Sequence, residues 1–229
     1  MTLTPEELTA VLLSLKVAFV ATLGSLPFGV AIAWLLARKD FPGKALLDAL
    51  VHLPLIIPPV VTGYLLLLLF GRRGLFGGFL AETFGIVFAF RWTGAALACA
   101  VMGFPLLVRA IRLSMEAVDP KLEAAAKTLG APPALVFLTV TLPLSLPGLL
   151  AGLVLSFARA FGEFGATITF VSNIPGETQT LPTAIYSFIQ VPGGDAMALR
   201  LTVISIAVAA VALVCSELLA RRMSKRLLG

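Results

Sequence analysis

Residues 119–143 read DPKLEAAAKTLGAPPALVFLTVTLP and are punctuated like part of a water-soluble protein. Asp119 followed by Pro120 marks a helix start, an acid at the cap and a proline where a missing N–H costs nothing. Lys121 to Leu129 is rich in strong helix formers, and Glu123 and Lys127 have the i,i+4 spacing of an ion pair. Gly130 ends this helix as a C-terminal glycine does. Pro132 and Pro133 open a second short helix, Ala134 to about Val140, before Leu142-Pro143 enters an apolar run. Two short helices bent at a glycine, over about residues 119–140, make a compact knob. A loop that only joined two spans would not need such regular helix punctuation, so the knob is expected to dock a partner.

The rest of the chain has a different solvent. Of 229 residues, 59% are hydrophobic and 13% charged, with a mean hydropathy of +1.03. Soluble domains average about 45–50% apolar and about 25% charged. These numbers exclude a soluble enzyme, a disordered chain and a disulfide-stapled secreted domain. Charge-free stretches run from Val17 to Ala37, Leu53 to Gly71, Trp92 to Val108 and Leu201 to Ser216, each near the ~20 residues a crossing needs. Prolines crowd the first half of a fifth stretch, so only its later part reads as a crossing. The expectation is an all-α membrane protein, one transmembrane domain over 1–229, with five spans at about 11–37, 52–71, 92–113, 142–162 and 199–220. Leu181 to Val191, bounded by Pro182 and Pro192, is too short to cross and reads as a half-span element.

Five spans place the termini on opposite sides, and charge selects which. With the N-terminus outside, the inner loops and tail hold Arg38, Lys39, Lys44, Arg109, Arg112, Lys121, Lys127, Arg221, Arg222, Lys225 and Arg226. That is eleven of the 17 basic residues against six acidic ones, while the outer side balances six against six. The positive-inside rule therefore gives N-out, C-in, with the terminal RRMSKR as an inner anchor. The net charge of +5 follows from this topology and does not indicate nucleic acid. Met1 to Thr9 carries Glu6 and Glu7 and no basic cluster, so no cleaved leader is expected. Cys99 and Cys215 lie in apolar runs, and His52 is the only histidine, so neither a disulfide framework nor a metal site is expected. His52 reads as an interface residue, and Lys16 as a side chain snorkelling outward.

The second span carries Pro54, Pro58, Pro59 and Gly63. It is either a kinked structural helix or a broken helix lining a pathway. Arg159 and Glu163 stand i,i+4 apart at the outer end of the fourth span, where they either pair with each other or act at an outer gate.

The knob resembles the EAA motif of importer-type ABC transporter permeases, E-A-A-x-x-x-G followed by an apolar residue and L-P, with Ala125, Ala126, Gly130, Val140, Leu142 and Pro143 at matching positions. The family glutamate aligns with Ala124. Glu123 sits one residue early, an offset of about 100° around a helix. Phe41-Pro42-Gly43-Lys44, the proline run from Leu53 to Gly63, RAFGEFGAT at 159–167 and SNIPGET at 172–178 extend the resemblance to the permeases of molybdate importers. Tungstate and sulfate permeases share much of this pattern.

The resemblance implies a type I ABC permease bundle in the bacterial inner membrane, N-terminus periplasmic and C-terminus cytoplasmic. It implies a second permease copy in a homodimer, two cytoplasmic ATPase subunits that bind ATP and magnesium, and a periplasmic oxyanion-binding protein. This chain has no G-x-x-x-x-G-K-[ST] loop, so it is expected to be non-catalytic and to hold no cofactor. The expected coupling residues are Glu123, Ala125, Ala126, Gly130, Ala134, Phe137, Leu142 and Pro143. The expected gate residues are Pro58, Pro59, Gly63, Arg159, Gly162, Glu163 and Gly165, with the glycines permitting close approach. The spans offer few donors, such as Thr62, Thr141, Ser145 and Ser156. They suit a weakly binding conduit, with selectivity left to the binding protein.

Other readings remain open. The anion is molybdate, tungstate, sulfate or thiosulfate, and no residue discriminates among them. Hydropathy alone also allows a channel or a secondary transporter, though neither needs a knob for an external motor. An intramembrane protease would need a Ser-His pair or two aspartates at depth, and no aspartate lies within a span.

Overall fold

A computed structural model describes residues 3–228, with side chains described through Cys215 and at Leu218. The C-terminal RRMSKR side chains lie outside the described residues. Every regular element described is helical.

The first helix, α1 (Pro5–Arg38), opens on a capping box. Thr4 Oγ1 accepts from the Glu7 amide at 3.3 Å, and Glu7 Oε2 accepts from the Thr4 amide at 2.7 Å. The T-P-E-E run at 4–7 carries this signal. The expected second span is two helices, α2 (Lys44–Ile56) and α3 (Pro59–Phe70), bent by 114°. Pro58 and Pro59 supply no amide to continue the first helix, and Pro59 starts the second. A short apolar helix, α4 (Leu75–Phe84), follows, and α5 (Trp92–Glu116) crosses in one piece.

The knob consists of α6 (Pro120–Thr128) and α7 (Pro133–Val136). In place of one helix from Ala134 to Val140, α7 ends at Val136 and a π-helical turn, Phe137–Thr141, runs into α8 (Leu142–Leu144). The fourth span begins at α9 (Leu146–Phe161), bent by 68° from the segment before it, because Pro143 and Pro147 interrupt the backbone ladder. Beyond it come α10 (Gly165–Val171), α11 (Leu181–Phe188) and α12 (Asp195–Leu228). The half-span expected over Leu181 to Val191 is thus preceded by a second short helix.

The centre is a bundle of α1, α5 and α9. Without a hydrophobic drive between helices in lipid, small residues set the contacts. A Cβ on Gly103 would lie 2.6 Å from Ser156 Oγ, and one on Gly148 would lie closer still to Ser114 Cβ. In contrast to α5, with 61% of its most apolar window buried, the corresponding figure for α12 is 11%. The α12 surface therefore faces lipid or another chain.

Side-chain links sort the helix ends into two faces. Arg38, the Asp48–Arg112 ion pair at 3.0 Å, Ser114 with Ser145, and the knob share one face. On the other, buried Glu7 pairs with Arg200 at 2.8 Å, and Lys16 lies 3.7 Å from the centroid of the Trp92 ring. Lys16 therefore does not simply reach outward; its charge rests on an aromatic face.

Candidate functional site: the knob and the broken-helix contact

Asp119 caps α6 by accepting from the Lys121 amide at 2.9 Å. The helix closes on a Schellman motif: the Gly130 amide donates to Lys127 O at 3.0 Å and the Ala131 amide to Ala126 O at 3.2 Å. Gly130 has φ +85°, which a side chain adopts only at a cost of about 1–2 kcal/mol. Gly130→Val is therefore expected to loosen the knob while leaving the chain inserted. In reconstituted vesicles with the ATPase subunits, ATP hydrolysis should persist while uptake falls by about tenfold, as this cost implies. Unchanged uptake would refute the coupling role.

Glu123 does not pair with Lys127. Its Oε1 accepts from Arg38 Nε at 2.9 Å and from Thr141 Oγ1 at 2.8 Å, and Arg38 also donates to Val118 O at 3.1 Å. One carboxylate thus joins α6 to the end of α1 and to the π turn. Both ionic side chains are about six-sevenths buried, at 15% and 13% exposure. At its position on α6, Glu123 faces into the chain. Phe137 is also turned inward, edge-on to Trp34 at 6.1 Å, and packs on the cluster around Leu107 and Ile111. Ala125, Gly130 and Ala134 are exposed, Ala126 is half-buried, and Leu142 and Pro143 lie half-buried where the next span begins. The knob exposes four leucines, Leu122, Leu129, Leu135 and Leu138, with Leu129 88% exposed, alongside exposed Lys121 and Lys127.

Arg38 was not among the coupling residues expected from sequence. Its signal was a basic residue ending one span and an acid that did not fit its motif position, 85 residues apart. His52 stays within its own helix, its Nδ1 2.9 Å from Asp48 O.

The expected gate residues divide. A Cβ on Gly63 would lie 2.5 Å from Ala166 O and 2.9 Å from Thr169 Cβ, and one on Gly165 would lie 2.9 Å from Pro59 Cβ. Pro59, Gly63 and Gly165 thus let α3 and α10 touch backbone to backbone, with Pro58 at the break. Gly162 lies outside that contact: it is exposed, and a Cβ there would meet only Ala158 O of its own helix end. Arg159 and Glu163 form an ion pair at 2.5 Å. Glu163, nearly fully buried, also accepts the Ala166 amide at 2.7 Å. Its Oε2 meets the guanidinium as a charge contact without hydrogen-bond alignment. Glu163 therefore holds the end of α9 to the start of α10.

Among the span hydroxyls, Thr141 is taken by Glu123 and Ser145 by Leu142 O, while Ser156 lies against Gly103. Buried Thr62 has no hydrogen-bond partner among the described residues. The broken-helix contact is therefore built for packing and has few donors to spare for an anion.

Known proteins resemble this arrangement throughout its length. The chain is 64% identical over 221 residues to the molybdenum transport system permease protein ModB of Escherichia coli (strain K12), covering 96% of each. It is 58% identical over 221 residues to ModB of Haemophilus influenzae, again 96% of each. The sulfate transport system permease protein CysT of Salmonella typhimurium is 41% identical over 81% of this chain and 67% of its own length. Among solved structures, the MetNI methionine ABC transporter in inward-facing conformations superposes with a TM-score of 0.71 at 16% identity, over 93% of this chain and 94% of that one. A bacterial alginate ABC transporter in complex with its pentasaccharide-bound periplasmic protein gives 0.72 at 19%, over 98% and 80%. The fold is that of type I ABC importer permeases. Residues 25–225 match the binding-protein-dependent transport system inner membrane component family, and with its bent spans, paired helix faces and two-helix knob the chain belongs to that family.

Proposed function

We propose that this chain is the permease subunit of an ATP-driven importer that carries molybdate across the bacterial inner membrane. The observation that carries this reading is the match to molybdenum permeases along 96% of both chains. In it, two copies form the pathway, two ATPase subunits bind ATP and magnesium and dock on the knob, and a periplasmic protein delivers the anion to the opposite face. The knob face is cytoplasmic and the Glu7–Arg200 face periplasmic. The excess of basic residues toward the knob side supports that orientation.

The exposed Leu122, Leu129, Leu135 and Leu138 support the docking role, since an apolar patch beyond the bilayer is suited to a partner. Ala125 and Ala134 let that partner approach closely, and Ala126, Leu142 and Pro143 pass its displacement into α9. Glu123 and Phe137 act from the inner side, fixing the knob to α1. On the opposite half, Arg159 places positive charge near the anion path, steadied by Glu163. Pro58, Pro59, Gly63 and Gly165 form the contact that opens and closes. Few free donors line it, so selection falls to the binding protein.

A sulfate permease is the second reading, favoured by the 41% identity to a sulfate permease. Uptake by the reconstituted complex separates the two. Labelled molybdate should accumulate only with ATP and the binding protein, unaffected by excess sulfate. Accumulation of sulfate at the molybdate rate would overturn the anion, and uptake without ATP would overturn the importer.

A further inference from the structure

Between α1, α2 and α5 lies an open cavity of about 690 Å³ that the transport reading does not use. Along α1 its wall is Val20, Gly24 and Phe28, and along α5 it is Ala96, Ala100 and Phe104, each set spaced by one helical turn. Ser25, which also lines it, spends its hydroxyl on Ala21 O. The cavity is apolar, so it accepts hydrocarbon and not water. A Cβ on Gly24 would meet nothing within 4 Å, so the space is real on the α1 side.

Extended one turn away from the knob, the two walls reach Lys16 and Trp92. The ammonium of Lys16 lies over the Trp92 ring, and Arg91 is exposed beside it. Neither Lys16 nor Arg91 has a carboxylate within ion-pair distance among the described residues. At the other end, Leu50 and Pro54 of α2 line the cavity, and Leu47 and Val51 pack into the cluster that fills the bundle beyond it. Lys16 to Phe28 and Trp92 to Phe104 each span about 18 Å. That is close to the half-thickness of a hydrocarbon core about 30 Å deep. Leu50 and Pro54 of α2 leave the cavity about one leaflet deep rather than the depth a spanning helix fills. A chain from one leaflet fits, with its charged end at the cations.

We propose that the groove between α1, α2 and α5 binds one anionic phospholipid of the leaflet away from the knob, its acyl chain along Gly24 and Ala100 and its phosphate at Lys16 and Arg91. The protein has two tryptophans, so Trp34→Phe leaves Trp92 as the sole reporter. The purified full-length W34F chain is reconstituted in phosphatidylcholine vesicles containing brominated phosphatidylglycerol or brominated phosphatidylcholine. Brominated phosphatidylglycerol should quench Trp92 at about fivefold lower mole fraction, the advantage expected of one basic side chain at the surface. Lys16→Gln should remove the difference. Gly24→Leu and Ala100→Leu, which plug the groove from facing helices, should each remove the quenching that exceeds bulk lipid. Equal quenching by the two lipids, or a preference that survives Lys16→Gln or either plug, would overturn the proposal. So would a disulfide-linked dimer formed by Gly24→Cys, which would put the second copy in the groove.

Discussion

Gly63→Val is expected to abolish uptake. The Cβ it adds would sit 2.5 Å from the carbonyl oxygen of Ala166 and 2.9 Å from Ala166 Cα. Both are backbone atoms, so no rotamer relieves the clash and α3 and α10 must move apart. Overpacking of this kind costs about 1–3 kcal/mol even where side chains can adjust, and here they cannot. At 1.36 kcal/mol per tenfold, the loss should be at least about tenfold. Gly162→Ala is the control, since a Cβ there touches only its own helix end, and it should retain uptake within about twofold. Labelled anion uptake, normalised to inserted protein, measures both. If Gly63→Val transports normally, the α3–α10 contact is not part of the pathway.

The second large effect is expected at Arg38 and Glu123. Removing the Glu123 carboxylate by Glu123→Ala leaves Arg38 with only the Val118 carbonyl and Thr141 without its acceptor. Breaking a fully buried pair costs about 3–5 kcal/mol. Partial exposure reduces that here, to about 1–3 kcal/mol. The chain should still insert, because the spans do not depend on this link. The knob should lose its attachment to α1 while keeping its own caps, so ATP hydrolysis continues and uptake per ATP falls by about tenfold or more, the tenfold being what 1.36 kcal/mol gives. Arg38→Ala should do the same. Glu123→Gln, which keeps an acceptor for both donors, should fall between. The ratio of uptake to hydrolysis is the readout, and a merely structural role would lower both together. An unchanged ratio in Glu123→Ala would show that the knob transmits through α9 alone.

Much of the fold was legible because lipid enforces a simple rule: about 20 residues without charge make a crossing. Helix punctuation at Asp119, Pro120 and Gly130 was equally plain, since caps and the left-handed turn are local chemistry. Other features depend on distance in the chain. α4 is a ten-residue apolar helix, too short to register as a crossing and lacking a side-chain N-cap, although Gly85 ends it with φ +67°. The π turn at Phe137–Thr141 leaves no compositional mark. The i,i+4 rule correctly paired Arg159 with Glu163 but wrongly paired Glu123 with Lys127, because a partly buried arginine 85 residues away outcompetes an exposed lysine. Gly162 and Gly165 look alike in sequence, and only the packing of Pro59 tells them apart.

The Glu7–Arg200 pair bears on how the protein is made. The two residues lie 193 positions apart, and Glu7 is fully buried. A ribosome releases Glu7 early and Arg200 near the end. During most of synthesis the carboxylate has no cation to meet, and burying it alone would cost several kcal/mol. The native cation of Glu7 is therefore in place only once translation has passed residue 200, and until then the carboxylate keeps only its capping-box amide.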